Sequence, residues 1–386
     1  MDHVDIGIIG GGVHGASAAF HLGDRGVSTV VFERGDVAGG PTGRSSAVCR
    51  AYYTNPFLAR VARESLDLLD RFAEVTGGHD AGYHRTGGLF IHGPEDIEEV
   101  RRTARDLTAI GTITDALSVD ELADRFPAFD LTGVGIGGWE QGAGYADPVL
   151  TTQGLMARAR DTGVEVRRNT EVVRLEHRGG RGTIVHLGDG TSVDVDRLLI
   201  AAGPWSGPLA AQVGAELPLT AERHVVATYG WGPAPRIEHV FADIVQGYYA
   251  KPERSDHFIV GPLTPSPTID DPDAIDDRLL DEESEELATK VIRRLPGLEE
   301  IEPRGGWASL YDVSPDWQPV IGEIADGVFI DAGTSGHGFK LAPGLGRYVA
   351  DLVLGDPDPG LEQFGPGRFT TGAGLASGWG DARILG

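Results

Sequence analysis

Cysteine occurs once in the 386 residues, at Cys49. One thiol cannot close an intrachain disulfide, and it excludes any cysteine-cluster metal site; no metal site is expected. Lysine is almost as scarce, at Lys251, Lys290 and Lys340. Lysine and arginine together number 33 against 58 acids, a net charge of −25. A chain of that charge repels nucleic-acid phosphates and anionic membrane surfaces, so neither is an expected partner. No apolar run approaches membrane-spanning length. The first strand begins within a few residues of Met1, with no signal peptide before it. The expectation is a soluble cytoplasmic protein.

The richest feature present is the run Asp5-Ile-Gly-Ile-Ile-Gly-Gly-Gly-Val-His-Gly-Ala-Ser17, which leads to Val30-Val-Phe-Glu33. It reads as an apolar strand, a Gly10-x-Gly12-x-x-Gly15 turn, a helix, and a second strand ending in an acid. Gly10 permits the tight turn, Gly12 the approach of backbone to a pyrophosphate, and Gly15 close packing of helix on strand. The helix N-terminus offers N–H groups and a positive dipole end to phosphates. Glu33, about 20 residues on, suits ribose hydroxyls. This predicts a dinucleotide site and leaves FAD and NAD both open.

Further along, Asn55-Pro56 opens a helix with apolar residues in helical spacing from Phe57 to Phe72. Residues 86–91 and 134–139 read as strands, and Asp147-Pro148 as the capped start of a helix to about Asp161. Short strands follow at 164–166, 171–176, 182–187 and 192–195, with Asp189-Gly190 as a hairpin turn. Arg197–Ala202 reads as a separate buried parallel strand that ends in the turn Gly203-Pro-Trp-Ser206. Residues 218–261 are strand-rich, 262–277 a surface loop, and 278–295 a helix with a solvated acidic face. A strand at 327–331, a glycine loop at 333–338 and a helix at 341–354 close the pattern. Nucleotide-type and strand-rich segments alternate. The expected architecture is therefore α/β plus α+β: a Rossmann-type FAD-binding domain (1–84, 148–217, 316–386) interleaved with a mixed-sheet substrate domain (85–147, 218–315).

A third glycine cluster, Asp331-Ala-Gly-Thr-Ser-Gly-His-Gly-Phe-Lys340, contains one of the three lysines. With the opening fingerprint, Arg44-Ser-Ser-Ala-Val-Cys-Arg50, Arg85-Thr-Gly-Gly-Leu89, Ala201-Ala-Gly-Pro-Trp-Ser206, Gly247-Tyr-Tyr-Ala-Lys-Pro252 and Tyr311-Asp-Val-Ser-Pro-Asp316, it resembles the D-amino-acid-oxidase-like FAD family. The branch it is similar to holds monomeric sarcosine oxidase, the sarcosine oxidase β subunit and dimethylglycine dehydrogenase. The resemblance implies a GR2-like FAD domain and oxidation of an amine or amino acid that carries a carboxylate. It implies that Arg50 and Lys340 meet that carboxylate and that Tyr249 and Tyr311 line the pocket. It also implies FAD contacts at Gly10, Gly12, Gly15, Glu33, Arg34, Ser45, Ser46, Val172, Ala202, Gly203, Trp205, Gly333, Gly336, His337, Gly338, Phe339 and Lys340.

Three positions depart from that pattern. Ser309 stands where monomeric sarcosine oxidase has its flavin-linking cysteine, and the Gly39–Arg50 loop lacks the histidine–tryptophan pair of the dimethylglycine dehydrogenase pattern, so FAD is expected to be non-covalent. Ile259 stands where the oxidase pattern has an oxygen-activating lysine, with His257 two residues away and Lys251 read as a surface residue. The flavin-covering arginine falls near Ala47. Oxygen and another electron acceptor therefore both stay open. Cys49 reads as a small buried residue. The competing readings are a D-amino-acid or cyclic imino-acid dehydrogenase of the same family, a nicotinamide-linked dehydrogenase, and an FAD-bearing subunit without catalysis of its own.

Overall fold

In the computed structural model, which describes residues 2–385 save 234–235, 254–255, 373, 377–378, 381 and 383–384, the opening run lies mid-sheet. Strand Asp2–Ile9 buries its last four residues and pairs in parallel with Thr29–Phe32 on one edge and Ser192–Ile200 on the other. Glu165–Arg167 continues the sheet in parallel beyond Thr29–Phe32. Helices cover such a sheet, so its strands read as unbroken apolar runs.

Ser192–Ile200 is one strand, not two. Its outer edge has two partners: Thr183–Leu187 runs antiparallel beside its first half, and Val328–Ala332 parallel beside its last residues. The first half alternates between buried and half-buried residues, while Leu198, Leu199 and Ile200 are all buried. The change of partner is what divided the run in sequence.

A second sheet, nine-stranded among the described residues, is built from residues 88–140 and 220–313. Its longest members, Thr220–Gly230 and Glu302–Val313, run antiparallel side by side. Glu302–Val313 is absent from the sequence reading, because it opens Glu-Pro-Arg-Gly-Gly, residues that disfavour strands. Thr268–Ile269, within the stretch read as a surface loop, pairs with Ala221 and Glu222 at the edge of this sheet. A third, small sheet of Val48–Cys49, Gly144–Tyr145 and His84–Arg85 ties the loop after the fingerprint to segments flanking the second sheet.

The helix after the fingerprint, Val13–Asp24, lies against the closing helix Gly338–Leu354. A Cβ on Gly346 would stand 2.1 Å from Ser17 Oγ, and one on Gly344 2.5 Å from the Val61 carbonyl of helix Pro56–Asp70. The two glycines thus let one helix nest against two others. The closing helix starts at Gly338 rather than Leu341, so Lys340 sits on its first turn and not in the glycine loop.

Candidate active site

At Gly10 the backbone turns with φ +113°, and any Cβ there would stand 2.3 Å from the Ala201 carbonyl. A Cβ on Gly15 would stand 2.0 Å from the Gly10 carbonyl. The turn therefore tolerates no side chain at either glycine. A cavity of about 710 Å³ opens beyond it. The fingerprint helix has no acid in its first turn, which leaves its positive end open to an anion. Thr42 Oγ1 accepts the Val13 N–H at 3.2 Å, so the loop after the second strand closes over that helix end. Glu33 accepts the Gly11 N–H and the Gly35 N–H, each at 2.7 Å. A carboxylate has further lone pairs for a ribose hydroxyl. Beside it, the Arg34 guanidinium lies 3.9 Å from the centre of the Trp205 ring. Asp273 accepts from both Arg34 (2.9 Å) and the Trp205 indole N–H (3.1 Å). Val172, Ala202 and Gly203 complete this end.

Arg50, Tyr249, Tyr311, Phe339 and Lys340 line the same cavity, as do Ser45 and Ser46. Arg50 is 2 % exposed. It donates to the carbonyls of Tyr52 and Leu385 and lies over the Tyr53 ring. Lys340 donates to the Gly336 carbonyl at 3.2 Å. Burial, reinforced by the charge of Arg50, holds its ammonium down at about 7. Behind Arg50, fully buried Glu140 accepts the Ala51 N–H at 2.9 Å. Burial pushes its carboxyl up to about 7, against the opposing pull of that N–H and of Arg50. Burial also raises the phenols of Tyr249 and Tyr311, so both stay protonated. Gly336, at φ +81°, is glycine because a Cβ there would stand 2.6 Å from the Tyr311 ring.

Not every expected residue lines this cavity. Gly15 and Gly333 act through packing: a Cβ on Gly333 would meet Leu219 and Val320 at 2.8 Å. His337 is fully buried, with Nδ1 at 3.2 Å from the Tyr53 hydroxyl, and stands behind the wall. Lys251 is not on the surface. It is 3 % exposed, paired with Glu253 at 2.7 Å and placed over the Tyr145 ring. Its cross-strand partner is Ile259, so the same sheet position carries the lysine on the neighbouring strand. His257 pairs with Asp256. The Cys49 thiol is buried and pushed up to about 12, which makes it inert.

Sequence reading missed His224. It stacks on Tyr311 with ring centres 3.9 Å apart, and its Nε2 lies 3.1 Å from Glu222. His224 and Ser309 are cross-strand partners on the cavity wall. His224 Nδ1 and Ser309 Oγ are buried there without a hydrogen-bond partner among the described residues. Buried polar atoms are normally satisfied, so this wall suits a polar ligand. The alternation Glu222-x-His224-x-Val226 was the only signal. The glycine cradle, the open helix end and these atoms together fit a bound dinucleotide.

Residues 5–352 match the family described as FAD dependent oxidoreductase. The chain belongs to that family. It is a flavoenzyme whose cofactor is FAD and whose substrates are amino acids or amines. The enzyme is 26% identical over 381 residues to the sarcosine oxidase subunit beta of Rhodobacter capsulatus, covering 95% of this chain and 89% of that one. It is 25% identical over 369 residues to glycine oxidase of Pseudomonas putida, covering 91% and 96%. Against human mitochondrial dimethylglycine dehydrogenase it is 25% identical over 95% of its own length but spans only 44% of that protein. The L-proline dehydrogenase of P. horikoshii shares its fold, with a TM-score of 0.86 at 24% identity over 96% of this chain and 99% of that one. No helix among the described residues is long and apolar enough to cross a membrane.

Proposed function

We propose that the enzyme oxidises the C–N bond of a small amine or N-substituted amino acid bearing a carboxylate, in the manner of its sarcosine-oxidising relatives. The observation that carries this reading is the pair of buried basic side chains, Arg50 and Lys340, on one wall of the cavity that begins at the fingerprint. An arginine grips a carboxylate with two parallel hydrogen bonds, and a lysine adds a point charge. Together they hold the substrate so that a carbon bonded to its amine nitrogen faces the cofactor ring, which replaces a collision by a fixed geometry. Tyr249 and Tyr311, protonated and buried, shape the walls and keep water away. Bound FAD would supply the acceptor for the hydride that leaves that carbon. The imine released is hydrolysed by water to a carbonyl compound and an amine.

Anaerobic mixing of the purified holoenzyme with N-methyl, cyclic and D-amino acids tests this reading. Bleaching of the flavin's visible absorption by one of them is expected. Arg50→Met should raise the concentration needed by at least tenfold, an anchoring loss of about 1.4 kcal/mol or more. A yellow protein that no member of the panel bleaches would favour the reading as a non-catalytic FAD-bearing subunit.

A further inference from the structure

The three lysines differ in their partners. Lys251 pairs with Glu253 at 2.7 Å and Lys290 with Glu286 at 2.8 Å. Lys340 has no carboxylate within 4.0 Å among the described residues. It donates to the Gly336 carbonyl, and it is 8 % exposed on the cavity wall beside a second cation.

Among the described residues, the groups around it offer no compensating anion. Arg50 and Cys49 act on it from the segment that follows the loop, the first a cation, the second a protonated thiol. Tyr249 and Tyr311 face the cavity from the second sheet with their protons retained. His337, on its own helix's N-terminal flank, is turned to Tyr53. The carboxylates on the cavity wall nearest in sequence are engaged elsewhere: Asp331 with His14 at 2.9 Å and Asp312 with Thr334 at 2.9 Å. Glu140 is spent on the Ala51 N–H behind Arg50.

An amino acid reaches the cavity as a zwitterion. Its ammonium has no lone pair to stabilise the cation formed as hydride departs, so one proton must leave nitrogen first. We propose that Lys340 waits uncharged in the empty clamp and takes this proton as the substrate carboxylate docks. The exchange balances without any other reactant: R₂NH₂⁺ and a neutral ε-amine become R₂NH and an ε-ammonium. The new ammonium then pairs with the carboxylate that stabilises it. When the product leaves, the cation is again alone beside Arg50 in a dry pocket and returns its proton to solvent. An ammonium held down at about 7 by burial and by Arg50 is in keeping with this cycle. One residue thus serves as both base and anchor, and the substrate's own carboxylate switches it between the two.

This inference rests on the carboxylate-clamp reading above, and the experiment separates the two. The probe is methoxyacetate, an ether with the shape of N-methylglycine and no ammonium. Calorimetric titration of the FAD-loaded enzyme at mildly alkaline pH, in buffers of different ionisation enthalpy, counts protons exchanged on binding. With no ammonium to supply it, Lys340 must draw its proton from the buffer, so uptake of about one proton per methoxyacetate is expected. Lys340→Arg carries a permanent charge, so it should bind methoxyacetate with no uptake. In the same variant the pH midpoint of flavin reduction by a reactive amino acid should move up toward the free amine's own titration. That slows reduction about tenfold for each pH unit below it. Lys340→Met, which keeps the stem's bulk, is the second variant and should also lose the uptake. Binding without uptake in the wild type, or uptake that survives in either variant, overturns the proposal alone. Failure of the wild type to bind any carboxylate overturns the clamp reading with it.

Discussion

Glu140 stands fully buried at 0 % exposure, and its carboxyl accepts the Ala51 N–H of the segment that presents Arg50. With a folded value of about 7 against an ordinary 4.5, the fold prefers the neutral acid. Its contribution is complete below about pH 4.5 and is lost as pH rises through 7. Glu140→Gln removes that loss. Urea unfolding at pH 5 and pH 8 should show the variant gaining on the wild type at the higher pH, by at most about 3 kcal/mol. A difference between the two proteins that does not change with pH would contradict the buried-acid account. At this scale sequence informed unevenly. Gly10 and Gly15 were legible because their spacing states a backbone requirement. Glu140 and His224 were not, since a single acid or histidine in a strand looks alike whether it faces solvent or a cavity.

At the scale of elements, local signals worked wherever the chain satisfies its own backbone. Asn55 accepts the N–H groups of Phe57 (3.0 Å) and Leu58 (3.2 Å) and so starts helix Pro56–Asp70, as the Asn-Pro pair predicts. Its amide also donates to Gln363 at 2.8 Å. Asn55→Ala should cost about 1 kcal/mol or somewhat more in chemical unfolding, and Asn55→Gly clearly less. Equal losses in the two variants would assign the effect to the Gln363 bond instead of the cap. Strand Glu302–Val313 shows the opposite case. Its first five residues are exposed, and its neighbour across ten register positions, Thr220–Gly230, specifies it as a strand. Such pairing is non-local, and no window of the sequence contains it. Likewise, Ser192–Ile200 looked divided because its second edge has two partners far apart in the chain.

For the whole molecule, the cavity takes its walls from both large sheets: Gly10, Glu33 and Ala202 from the first and its loops, His224, Tyr249 and Tyr311 from the second. A cofactor that spans it binds only the assembled fold. Adding FAD to the apoprotein should raise the unfolding temperature in step with occupancy, with about 2.7 kcal/mol gained at a hundredfold excess over the dissociation constant. Tryptophan fluorescence and far-ultraviolet circular dichroism should report the same shift. A shift in one probe alone would mean that the sheets do not share the ligand.

The sequence by itself determined the dinucleotide half of this protein: the turn, the helix after it, the acid that follows and the interleaved order of segments. Those features are local, because the spacing of glycines and apolar residues states which backbone shape can form. Only the tertiary structure decided the reactive half. It buried Lys251 with Glu253, set His224 against Tyr311, and left Lys340 beside Arg50 with no carboxylate within 4.0 Å among the described residues. Charge and proton affinity there depend on what burial removes and on which distant groups come near. Those quantities exist only once strands more than a hundred residues apart meet around one cavity.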